Sequence, residues 1–158
     1  QTILSEVANR HRGEADFLSR LVGLALDDEP VLSVGATWIL KAELAQGAVL
    51  AQKDADRLVR GLERIGAWQA QLHVCQSIVH MTVHTEVAPV MESWLTSLLD
   101  TPRPFLRAWA IDALCRLRGA SPQTAALLER MESDDAASVR ARVRNLKREF
   151  GAGSPSAS

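Results

Sequence analysis

The chain has 158 residues, 47% of them hydrophobic, enough apolar material for a core that needs no disulfide or metal staples. Three Phe, four Trp and no Tyr, beside plentiful Ala, Leu, Arg and Glu, disfavour a β-sandwich or barrel. A formal net charge of −1 excludes a strongly basic nucleic-acid binder on bulk electrostatics, and no apolar run approaches the ~18–20 residues of a membrane-spanning helix, so no membrane partner is expected.

Residues 2–150 read at the helical period, punctuated by short breaks. A short opening helix carries Ile3, Leu4, Val7 and Ala8. A second carries Phe17, Leu18, Leu21, Val22 and Leu24 and stops at Asp27-Asp28-Glu29-Pro30, where the proline opens a third that runs to about Gln46-Gly47. Helices are then expected over Lys53–Ile65, Trp68 to about Val83, Val87–Leu99, Phe105–Leu117, Ser121–Met131 and Ala136–Phe150. Nine short helices with short loops make a bundle or a solenoid. Internal repetition separates the two: Ile39, Ile78, Ala113 and Leu146 fall in equivalent places of successive second helices, at spacings of 39, 35 and 33 residues. A two-helix period of that size is the mark of an α-solenoid.

Charge is unevenly spread. Residues 1–100 hold 8 basic and 13 acidic side chains, and residues 101–158 hold 10 and 6. Cys75 and Cys115 sit inside apolar helical patterns with no ligand spacing, which reads as two buried thiols and a reducing, cytoplasmic setting. The chain starts at Gln1 without a charged-then-apolar signal segment, and residues 151–158 read as a flexible tail after a single domain over 1–150.

The stretch Leu98-Leu-Asp-Thr-Pro-Arg-Pro-Phe-Leu-Arg-Ala-Trp-Ala-Ile-Asp-Ala-Leu-Cys-Arg-Leu117, and its echo Met131-Glu-Ser-Asp-Asp-Ala-Ala-Ser-Val-Arg-Ala-Arg-Val-Arg-Asn-Leu146, resemble HEAT repeats. The resemblance rests on Asp100 before Arg107 and Asp134 before Arg140, similar to the family's Asp–Arg ladder. Such a ladder works because one guanidinium can pair with a carboxylate and with carbonyls at the end of the preceding helix. Ser33 and Leu72 stand where the first two repeats would carry that arginine, so the motif covers 87–149 and only the period covers 14–85. The resemblance implies an all-α fold, a right-handed α-α superhelix of about four HEAT-like helical hairpins with a short N-terminal helix. It also implies that second helices line a concave binding side.

On that register Trp38, Ser77, Asp112 and Asn145 form one row, and Lys41, His80, Cys115 and Arg148 another. With His73, Gln76 and Ser77 on the polar stripe of the Trp68 helix, the expected partner-binding residues are Trp38, Lys41, His73, Ser77, His80, Asp112, Asn145 and Arg148, facing a protein or peptide segment. The bland alternative for Trp38 is packing between the first and second repeats; Trp94 and Trp109 read as core. His80 and His84 at i, i+4 could share a metal, but His73 lies roughly 10 Å along the axis from His80, so no metal or other cofactor is expected. The cluster Arg140, Arg142, Arg144, Lys147 and Arg148 suggests a nucleic-acid-associated module as the alternative, or else a charged terminal face. No catalytic motif is present, and Trp109 with Asp112 only superficially resembles the HEAT-like alkylpurine DNA glycosylases. The expectation is a non-catalytic binding scaffold.

Overall fold

The computed structural model describes residues 3–151, with side chains for 13–150. Among these the chain forms eight α-helices and no strand: α1 Ile3–Ala25, α2 Pro30–Ala45, α3 Gln52–Arg60, α4 Trp68–Ser77, α5 Ala88–Ser97, α6 Pro104–Arg118, α7 Pro122–Met131 and α8 Ala137–Leu146. Short 3₁₀ turns continue α3, α4 and α5, and a π turn over Lys147–Gly151 continues α8. The all-α expectation holds. The tail expected at 151–158 lies outside the described residues apart from Gly151.

The separate opening helix is corrected: residues 3–25 are one helix of 23 residues. Gly13 lowers helix propensity by about 1 kcal/mol but neither Pro nor a cap interrupts the segment, so the helix runs through. Its end is set where expected, with the Asp27 carboxylate accepting from the Glu29 N–H and Pro30 in the first turn of α2. A second correction concerns the helix expected over 68–83, which stops at Ser77. Its chain passes through one 3₁₀ turn and is extended by Met81 (φ −114°, ψ 149°). Ser77 donates to the His73 carbonyl at 2.7 Å, the back-bonding that competes with helix continuation, and the β-branched Thr82 and Val83 follow.

Contacts gather the chain into two compact units, residues 1–87 and 88–158. In the first, α1 packs on α2 and α3, and α2 packs on α4. Leu18, Val22, Leu40, Leu58, Val59 and Leu62 are almost wholly buried there, each contributing about 1.5–3 kcal/mol. Gly61 lets Leu26 pack close against the backbone: a Cβ there would stand 2.7 Å from a Leu26 methyl, so a larger residue would have to displace that side chain. In the second unit α6 packs on α5, α7 and α8, around Met91, Leu95, Ile111, Leu114, Leu128 and Leu146. Gly119 (φ +66°) ends α6, and the Ser121 hydroxyl caps α7 by accepting from the Thr124 N–H. Cys75 and Cys115 are buried, as expected, and are not joined in a disulfide.

One regularity runs through all four consecutive helix pairs. A donor near the start of each second helix reaches back to a carbonyl at the end of the first. These are Ser33 Oγ to Ala25 O (2.6 Å), Gln71 Nε2 to Ile65 O (3.0 Å), Arg107 Nη1 to Thr101 O (2.9 Å) and Arg140 Nη1 to Asp134 O (2.8 Å). Helix ends leave carbonyls without intrahelical partners, and a buried one left unmade costs about 1–3 kcal/mol. Arg107 does more, holding the Asp134 carboxylate through Nε (3.1 Å) and Nη2 (2.9 Å). The Asp134 carboxyl is consequently held below its ordinary range.

Candidate functional site

In the first unit, α2 is apolar nearly all round and its polarity is inverted. Ser33 and Thr37 are buried, whereas Val31 and Trp38 are exposed, Trp38 at 57%. Trp38 follows Ser33 by five residues, about 140° round the helix, so it points away from α1. With more than half of its surface in solvent, the indole is not enclosed between the first two helix pairs. Beside it, the α2–α4 seam is polar and internally satisfied. Thr37 Oγ1 lies 2.9 Å from the Ser33 carbonyl and 3.0 Å from His73 Nδ1. The hydroxyl thus links the Ser33 carbonyl to the imidazole, whose neutral form leaves one ring nitrogen as donor and the other as acceptor. Burial, and then the Lys41 ammonium, lower the His73 pKa from its ordinary 6.5 and favour this neutral form. Lys41 itself donates to Gln76 Oε1 at 3.2 Å.

The expected stripe along α4 is therefore only partly a surface. His73 is half-buried, Ser77 is buried, and His80 is exposed on the 3₁₀ turn beyond the helix. Val79, which an unbroken helix from Trp68 would place on the face of the buried Leu72 and Cys75, is 53% exposed. The exposure of Val79 follows from the change of pitch after Ser77. His80 and His84 do not share a helix face, since the chain leaves the helix between them.

In the second unit Asp112 is buried, not displayed. Its Oδ1 accepts from Arg116 Nε at 2.9 Å and its Oδ2 from Arg142 Nη1 at 3.3 Å. Arg142 also stacks over Trp109, 4.3 Å from the ring centroid, so Trp109 is half-buried under a cation instead of lying in the core; Trp94 is buried as expected. Arg116 goes on to Glu149 at 2.9 Å and lies over Phe150. Asn145 and Arg148 are exposed, with Arg148 donating to Asn145 Oδ1 at 3.4 Å. Of the basic cluster, Arg140 is bound to the Asp134 carbonyl, Arg142 to Asp112, and Lys147 to Glu132, leaving Arg144 and Arg148 turned to solvent. Burial beside Asp112 pushes the Cys115 thiol up to about 11, too high for a thiolate nucleophile near neutral pH.

Among the described residues no group of three His, Cys, Asp or Glu side chains is placed to hold a metal ion, and no helix is long and apolar enough to cross a membrane. Comparison of the chain with protein-family models, with curated proteins and with solved structures finds no match. Of the expected site residues, Trp38, Lys41 and His73 are gathered at the α2–α4 seam, with the solvent-facing indole at its edge. Sequence reasoning missed Val31, 77% exposed two turns before Trp38 on the same helix face, because a valine in an apolar helix carries no mark of exposure.

Proposed function

We propose that this chain is a non-catalytic, cytoplasmic interaction scaffold of HEAT-like helical pairs, stacked as a short right-handed superhelix, which binds a protein segment on the side lined by second helices. The observation that supports this most is Trp38: a large indole held in solvent by a helix whose small polar residues face inward. Exposing Trp38 and Val31 gains the fold nothing, whereas a partner that covers them gains burial and a rigid aromatic anchor. Packing of α2 on α4 and of α6 on α8 also supports it, since stacked second helices are the repeat contact of a solenoid. The basic C-terminal helix favours no second reading, because three of its five cations are bound to carboxylates or a carbonyl of the chain and a fourth, Arg148, to Asn145.

The reading is tested by selecting peptides on the wild-type chain from a random display library and measuring them against Trp38→Ala. Truncating a hot-spot Trp costs at least ~2 kcal/mol, roughly thirtyfold in Kd. Peptides that bind both proteins alike overturn the assignment.

A further inference from the structure

The second unit contains a cleft of about 210 Å³ that owes nothing to the Trp38 surface. Its floor is apolar, made by the buried Leu99 and Leu127 with the exposed Ala126 at the edge. Its rim is polar and cationic: Thr96, Gln123, Arg118 and Arg130. Arg118 is already neutralised, because Glu92 Oε1 accepts from its Nε (3.0 Å) and Nη2 (2.7 Å). The Thr96 hydroxyl is spent on the Glu92 carbonyl. Arg130 and Gln123 are exposed, and among the described residues their side chains have no hydrogen-bond partner. With Glu92 counted, the cleft is left with one uncompensated positive charge above an aliphatic floor.

Size and charge together select the occupant. Pockets that enclose whole drug-sized molecules run to ~300–1,000 Å³, so this one takes a small group or the end of a chain. One free guanidinium matches one negative charge, and its planar fork matches a carboxylate. We propose that the cleft between α5 and α7 binds a monocarboxylate with a short aliphatic body, anchored by Arg130 and Gln123, its apolar part on Leu99 and Leu127. A peptide's C-terminal apolar residue and a free small carboxylic acid share this chemistry.

The test titrates isotope-labelled full-length chain with N-acetyl-leucine and follows backbone and arginine side-chain NMR signals. Saturable shifts at Thr96, Gln123, Ala126 and Arg130 are expected, with an affinity of order millimolar. N-acetyl-leucinamide, which lacks the charge, binds about tenfold more weakly, and Arg130→Gln loses about as much for the acid while keeping the wild-type melting temperature. Ala126→Phe, filling the cleft from its exposed edge, removes the shifts. A peptide ending in free leucine then separates the sources. Binding about tenfold tighter than N-acetyl-leucine assigns the cleft to a chain end, and equal or weaker binding assigns it to a free acid; both outcomes uphold the carboxylate site. Absence of saturable shifts at ~20 mM, or shifts indifferent to amidation and to Arg130→Gln, overturns it.

Discussion

Residues 1–87 and 88–158 meet one packing demand with different chemistry. In the first unit the carbonyls at the ends of α1 and of the turn after α3 are satisfied by neutral donors, Ser33 and Gln71. In the second the same places are served by guanidinium groups, Arg107 and Arg140. The length of the side chain accounts for the consequence. Ser33 reaches only the helix beside it, whereas Arg107 spans from the Thr101 carbonyl to the Asp134 carboxylate and so ties one helix pair to the next. Asp112, Arg116, Arg142 and Glu149 extend that ionic stitching, while the described part of the first unit holds its α2–α4 seam through Thr37, His73, Lys41 and Gln76. The comparison teaches that the duty of satisfying a helix-end carbonyl can persist from one helix pair to the next while the residue that meets it changes.

Substitutions can break this comparison, and the largest effect belongs to Arg107. Arg107→Ala strands a buried carboxylate and a carbonyl together, for about 3–5 kcal/mol lost in urea denaturation. Arg107→Lys recovers only part, because an ammonium cannot fork across Asp134. A double-mutant cycle with Asp134→Ala sharpens the point: strong coupling is expected, and additive losses would mean that the pair is ornamental. In the first unit Ser33→Ala is expected to cost about 1–3 kcal/mol, since the buried Ala25 carbonyl loses its donor, and Gln71→Ala about 0.5–1.5 kcal/mol, both read from the denaturation midpoint.

The two units also differ in their response to acid. With the His73 pKa lowered, the unfolded chain takes up that proton first. The stabilisation is full above 6.5 and is lost as pH falls through the lower folded value. With the Asp134 pKa lowered from 3.8, its contribution survives mild acid and is lost only as pH falls through a still lower value. Melting temperatures recorded from about pH 7.5 to about pH 5.5 should therefore decline, and His73→Gln should flatten that decline while Asp134→Asn leaves its slope unchanged. The smallest effect is a null one. Cys115, with its thiol pushed up to about 11, should resist alkylation at neutral pH in the folded chain and react once unfolded; fast labelling of the folded protein would contradict its burial.

Much of this was legible beforehand, for reasons that can be located. Pro30, Gly119 and the Ser121 cap fix helix ends locally, and Arg107 was readable as a residue that pairs with both carboxylate and carbonyl. Ser33 and Leu72 instead looked like gaps in the ladder, because the donor that fills the second gap is Gln71, one residue earlier. The histidine stripe failed for a different reason. Its register assumed one pitch from Trp68 to Val83, and the change after Ser77 rotated Val79 outward. Asp112 failed through its partners: a carboxylate in a helix reads as exposed until two arginines, one from α6 and one from α8, are seen to accompany it inward.

The sequence by itself determined an all-helical chain built from consecutive helix pairs, because apolar spacing, caps and prolines act within a few residues of one another. It also determined that both cysteines are buried. Only the tertiary structure decided which sides of those helices meet water. Periodicity assigns each residue an angle about its own axis, but the neighbour that covers that angle comes from a remote part of the chain. The outcome can therefore run against side-chain polarity: Ser77 of α4 is buried, and Trp38 of α2 is left in solvent.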